Sequence, residues 1–155
     1  MGSEIWKTIK IGIYKDLESL KDALLQNGFR IGDWANDILE KTELSSEKKS
    51  IDLVKISVEE LGLTKGAYKK DIYKKAFELG LKLCPPEIGP HLRLQYNNQE
   101  KLESLQIAME PISDSTGHFS EFRIVHSPDG YLWLVGDHKH PDNFWKSDEF
   151  FVFTS

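Results

Sequence analysis

Leu83-Cys84-Pro85-Pro86-Glu87-Ile88-Gly89-Pro90-His91-Leu92-Arg93-Leu94-Gln95-Tyr96 is the stretch on which the fold of this chain turns. Three prolines and a glycine stiffen its first half into a turn. The six residues that follow alternate, with His91, Arg93 and Gln95 on one side and Leu92, Leu94 and Tyr96 on the other. That period of two is the mark of a half-buried strand. The expectation is a strand over 91–96 that joins a helical first half to a β-rich second half. Its polar side, with Glu87 just upstream, reads as a binding surface or as the solvent face of an ordinary strand.

Working outward towards the N-terminus, the residues 5–14 are rich in Ile, Thr and aromatics and predict an opening strand. Asp16 is suited to cap a helix with an apolar stripe of Leu17, Leu20, Leu24 and Leu25, ended by Gly28. Phe29-Arg30-Ile31-Gly32 reads as a tight connector to a second short helix from Asp33, with Trp34, Ala35, Ile38 and Leu39 on one side. Residues 42–50 form a polar loop, and Ile51, Leu53, Val54, Ile56 and Val58 mark a second strand. Ser57-Val58-Glu59-Glu60 matches a capping box, stopped by Gly62. The clearest helix starts at Tyr68 or Lys69, buries Ile72, Tyr73, Ala76, Phe77 and Leu79, and ends at Gly80.

Towards the C-terminus the character is β. Leu105, Ile107 and Met109 alternate, and Glu121–His126 and Tyr131–Gly136 flank the hairpin turn Ser127-Pro128-Asp129-Gly130. A terminal aromatic strand covers 149–154. Nine of the seventeen aromatic residues fall in the last 37 positions, which predicts an aromatic-packed antiparallel sheet. The expected fold class is α+β, a single domain over 1–155 with a helical N-terminal half packed on a mainly antiparallel C-terminal sheet.

The 155 residues are 39% hydrophobic and 29% charged, enough to bury a core without disulfides or metal. A net charge of -5 argues against a general nucleic-acid binder. Residues 83–155 hold 5 Lys/Arg against 11 Asp/Glu, so a polyanion would have to meet the N-terminal half. Cys84 is the only cysteine, which excludes an intrachain disulfide and fits a reducing compartment. No apolar run approaches the ~20 residues that span a bilayer, and Met1-Gly2-Ser3-Glu4 lacks a signal-peptide pattern. A cytoplasmic location is expected, with no membrane association.

The string Asp52-Leu53-Val54, Ser57-Val58-Glu59-Glu60-Leu61-Gly62, Asp71-Ile72-Tyr73, Glu78-Leu79-Gly80-Leu81 and Leu83-Cys84-Pro85 continues into Glu87-Ile88-Gly89-Pro90, Leu92-Arg93-Leu94-Gln95-Tyr96 and Met109-Glu110-Pro111-Ile112. It resembles a family of small, uncharacterised bacterial proteins of similar length. The resemblance is densest over 51–112 and implies no activity and no catalytic residue. Tyr68 stands where that pattern suggests a capping Thr, so helix initiation here rests on Asp71 and packing.

Four constellations carry chemistry. His91, Arg93 and Gln95 with Glu87 could hold a small polar or anionic ligand, Arg93 supplying a planar fork for carboxylate or phosphate. Cys84 with His91 as base could act as a nucleophile, although a lone cysteine beside two prolines reads equally as packing. Lys65, Lys69, Lys70, Lys74, Lys75 and Lys82 cluster around the long helix and could meet phosphates, or form a solvated face. His138 and His140, with Asp137, Asp142 and His126 nearby, could share a metal or be exposed loop histidines. Among the aromatics, Phe144 and Trp145 fall outside the clear strands and are the pair to examine for exposure.

No hydrolase triad, phosphate-cradling loop, metalloprotease helix or cofactor motif is recognisable. The expected function is therefore a small cytoplasmic binding or interaction protein that contacts an unknown protein or small polar ligand through the 91–96 strand. The alternative is a ribonuclease-like protein using His91 and Arg93 with the lysine-rich helix. That alternative requires His91 and the lysines to share one concave surface.

Overall fold

Asp16 accepts a hydrogen bond from the Ser19 amide at 2.8 Å and starts the first helix, as its side chain predicts. The computed structural model describes residues 4–138 and 143–155. In chain order the elements are β1 (Lys7–Ile11), α1 (Leu17–Gln26), β2 (Arg30–Ile31), α2 (Asp33–Leu39), β3 (Lys49–Ser57), a 3-10 turn (Glu59–Leu61), β4 (Ala67–Tyr68) and α3 (Lys69–Glu78). There follow α4 (Ile88–Gln95), β5 (Ser104–Ile107), β6 (Ile112–Ser113), β7 (Phe119–His126), β8 (Leu132–Asp137), β9 (Phe144–Trp145) and β10 (Phe150–Thr154).

The main sheet runs β1-β3-β10-β5-β7-β8-β2, with β6 on the start of β7 and β4 paired to β9 apart from it. Pairing is antiparallel except at β10–β5 and β2–β8. This is an α+β fold with a mainly antiparallel sheet. The expected split into a helical half and a sheet half is corrected. All four helices do precede residue 96, but β1, β2 and β3 come from the same half and belong to the main sheet. The terminal strand β10 inserts between β3 and β5, so the two halves share one sheet.

Alternation along the strands separates two cores. Leu53, Leu105, Ile107, Phe122, Ile124, Leu134 and Val152 face α1, α2 and α4. Val54, Ile56, Phe151 and Phe153 face the other way, onto Ile72 and Ala76 of α3 and onto Trp145. The capping box forms as read: Ser57 N donates to Glu60 Oε1 at 2.9 Å and Glu60 N to Ser57 Oγ at 3.0 Å. Gly62 closes that turn at φ +93°, a left-handed conformation that suits glycine. Leu25, Trp34, Phe77 and Leu79, expected on buried stripes, are instead exposed.

The segment 91–96 is not a strand. Residues 88–95 are helical, and the prolines open the helix rather than a turn before a strand. Ile88 N donates to Pro85 O and Gly89 N to Pro86 O, while Pro90 sits in the first turn, where a missing N–H costs nothing. Gly89 is required by contact: a Cβ there would lie 2.7 Å from the Phe122 side chain. Helix α4 touches β1 at one end of the strand order and β7 and β8 near the other, so it lies inside the curl of the sheet with α1 against it. Its surface is buried nearly all round, which erases the one-sided pattern that marks a surface helix.

Candidate functional site

The four residues expected to bind a ligand hold the fold together instead. Glu87 is buried, and its carboxylate accepts from Ser45 N and, at 2.6 Å, from Ser45 Oγ, fastening the 42–48 loop to the start of α4. His91 is 1% exposed, and its Nδ1 lies 2.8 Å from Glu87 O. Burial lowers the His91 pKa, against the opposing pull of Glu87. Arg93 is 0% exposed and donates to Gln99 Oε1, Tyr96 O, Val125 O and Trp133 O. Desolvation pulls its pKa down to about 10. Gln95 forms two bonds to the backbone of Lys10, accepting from its N–H at 2.9 Å and donating to its O at 2.7 Å.

Cys84 is buried, its thiol donating to Val152 O at 3.3 Å, and desolvation raises its pKa away from thiolate formation. Of the lysines, Lys65, Lys70, Lys74, Lys75 and Lys82 are exposed, while Lys69 is buried in an ion pair with Glu121. Tyr73 Oη adds a 3.4 Å hydrogen bond to the same carboxylate. Desolvation raises the pKa of both Tyr73 and Glu121. Helix α3 packs on one face of the sheet and α4 on the other, so His91 and the lysines do not form one surface. That removes the geometry the ribonuclease-like alternative needs.

Two surface features remain. The first follows from the sheet's uneven cover: α3 and its neighbours bury Val54, Ile56, Phe151 and Phe153 but leave the same face of β7 and β8 open. There Arg123, Val125, Trp133 and Val135 are partly buried, with 17% of the Arg123 side chain exposed. A cleft of about 570 Å³ is lined by Ser104, Arg123, Lys101, Glu100, Lys146 and Asp148, among others. Arg123 donates to Ser104 Oγ at 2.8 Å and to Asp137 Oδ2 at 2.6 Å, and its guanidinium lies 5.5 Å from the Trp145 ring centre. Beside it, Val125, Trp133 and Val135 floor an apolar hollow of about 340 Å³. Trp145 is buried and Phe144 exposed, so only one of the pair singled out for exposure is at the surface.

The second feature centres on His138. His140 and Asp142, its expected companions, lie outside the described residues. Asp137 pairs with Arg123, and His126 Nδ1 lies 2.8 Å from Gln99 O, so neither joins His138. His138 Nε2 instead lies 2.7 Å from Asp114 Oδ2. Asp114 sits in the tight turn between β6 and β7, where Oδ1 accepts from Thr116 N, Thr116 Oγ1 and His118 N. These bonds, led by the Thr116 hydroxyl, hold its pKa down at about 2. The His138 ring stacks on Trp34 with centroids 3.5 Å apart and on His118 at 5.4 Å. The turn-forming run Asp114-Ser115-Thr116-Gly117-His118 was visible in the sequence, but its meeting with His138 depends on sheet register. Among the described residues, no group of three His, Cys, Asp or Glu is placed to hold a metal ion. Nor, among them, is any helix long and apolar enough to cross a membrane.

No protein-family model matches the chain, and no curated protein or solved structure matches it.

Proposed function

We propose that this chain is a non-catalytic binding protein of the bacterial cytoplasm, taking a small polar or anionic ligand in the cleft over β5 and β7. The observation that carries this reading is Arg123. It lines the cleft from β7, its guanidinium oriented by Ser104 and Asp137 before any ligand arrives. A fork held in this way loses little side-chain entropy on binding. Lys101 and Lys146 line the cleft together with the carboxylates of Glu100, Glu103, Asp148 and Glu149, which suits a ligand carrying hydrogen-bonding groups of both signs, and the hollow at Trp133 could receive an apolar portion. The binding role expected of Arg93 thus passes to an arginine that solvent can reach.

The test is titration of the full chain with inorganic phosphate, succinate and citrate, followed by amide and side-chain NMR. Saturable shifts at Ser104, the Arg123 side chain and the Trp133 indole are expected with at least one of them. The variant Arg123→Gln with Asp137→Asn, which leaves no orphaned carboxylate, should abolish those shifts. Shifts that map elsewhere, or none at millimolar concentration, would reject the assignment.

A further inference from the structure

We propose that the apolar hollow on the open face of β7 and β8 binds a small aromatic monocarboxylate, its ring on Trp133 and its carboxylate on Arg30. The site goes beyond the Arg123 cleft, because a different cation anchors it. Val125, Trp133 and Val135 floor the hollow, Ser127 and Asp129 stand at one side, and its volume is about 340 Å³. That is the size of a small-molecule pocket. Arg30 comes to its rim through sheet register. Strand β2 runs parallel to β8 with Arg30 beside Trp133, and residues paired across strands project to the same side. The Arg30 guanidinium lies 4.0 Å from the ring centre of Tyr131, two positions before Trp133.

The parts of the site are oriented, and its cation is uncommitted. Stacking on Tyr131 uses the face of the guanidinium and leaves its N–H donors around the rim. Arg30 is exposed, and no hydrogen bond or ion pair joins its guanidinium to another described residue. Arg93 and Arg123 differ in this, since both are bonded internally. The Trp133 indole is fixed by its Nε1–H, which donates to Asp129 Oδ2 at 3.1 Å. Asp129 also accepts from Ser127 Oγ and Tyr131 N, so its charge is engaged with the hairpin turn. An indole between two valines makes an apolar floor suited to a planar ring. The guanidinium rim offers paired donors that match the two oxygens of a carboxylate. A second carboxylate on the ligand would meet repulsion from Asp129, which favours a monoanion. Five residues line the hollow, whereas a standard protein interface engages about 20–30 a side, so a small acid fits it better than a second copy of the chain.

The experiment titrates the full chain with phenylacetate and reads the NMR signals of the Trp133 indole N–H and of the Arg30 and Arg123 side chains. Saturable shifts at Trp133 and Arg30 are expected. Acetate, which lacks the ring, and phenethylamine, which carries the ring with a cation, should produce neither at the same concentration. Arg30→Gln alters only an exposed side chain and should weaken phenylacetate binding at least about tenfold, while Lys74→Gln on α3 should bind as the parent does. The proposal is overturned if no shift saturates at millimolar concentration, if phenethylamine binds equally, or if Arg30→Gln binds as the parent does. It is overturned too if the Trp133 signal moves with protein concentration alone, which would make a second copy the occupant. The Arg30 and Arg123 signals are read separately, so failure of this site and failure of the cleft assignment are told apart.

Discussion

Arg93 Nη1 donates to Gln99 Oε1 at 2.7 Å, and Gln99 Nε2 passes the connection on to the carbonyls of Glu103 and Ile124. Through these two side chains, α4 is bonded to the backbone of β7 and β8, with no carboxylate among the described residues paired to the buried guanidinium. Removing the guanidinium would strand several buried carbonyls at once. Arg93→Ala should therefore destabilise the protein by about 3 kcal/mol or more, measured by urea denaturation. Arg93→Lys should recover only part of that loss, because an ammonium cannot reproduce the fork. A variant as stable as the parent would show that the network is dispensable.

Gln95 matters for a different reason. Its amide satisfies both backbone groups of Lys10 on the outer side of β1, the edge strand of the main sheet. Gln95→Ala should cost about 1 kcal/mol and expose an edge able to pair with another chain. Sedimentation at increasing concentration should show more self-association than the parent does.

The Lys69–Glu121 pair, with side chains 8% and 1% exposed, separates the value of a partner from the value of a charge. Lys69→Met leaves a buried carboxylate unpaired and should cost about 3–5 kcal/mol. The double variant Lys69→Met with Glu121→Leu should recover most of that loss, since well-packed apolar groups commonly replace buried pairs without penalty. Urea denaturation of the single and double variants at one pH decides it.

His91 predicts a pH dependence. Its folded pKa is lowered from 6.5 by burial, so the unfolded chain binds the proton more readily. The contribution is therefore complete above the unfolded pKa and is lost as pH falls from about 6.5 through the depressed folded value. His91→Gln should flatten that acid limb of stability relative to the parent, measured by denaturation at pH 5, 6 and 7. An unchanged slope would place the titrating group elsewhere.

Local signals survived folding where they were short and chemical. The Asp16 cap, the Ser57–Glu60 capping box and the 127–130 hairpin turn each act through atoms a few residues apart, and each forms as read. Leu83–Tyr96 did not, because six alternating residues also satisfy helical spacing: Ile88, Leu92 and Tyr96 are four apart and all buried. Proline-rich openings likewise suit both a turn and a first helical turn. Polar type was misleading for the same residues, since His91 and Arg93 are buried with internal partners. Arg123 offered no local pattern, and His138, singled out with His140, meets Asp114 instead, because strand pairing and a hairpin bring these residues to their partners.

By itself the sequence determined the α+β class, the caps and turns, and the alternation that divides the β residues between two cores. These follow from backbone preference and burial period, which act over a few residues. The tertiary structure alone decided that α4 lies within the curl of the sheet, that β10 enters between β3 and β5, and which polar side chains reach the surface. Those outcomes depend on pairings between residues tens of positions apart, such as Phe153 with Val54 and His138 with Asp114. The same arginine chemistry thus became wholly internal at Arg93, where no solvent reaches it, and stays partly accessible at Arg123.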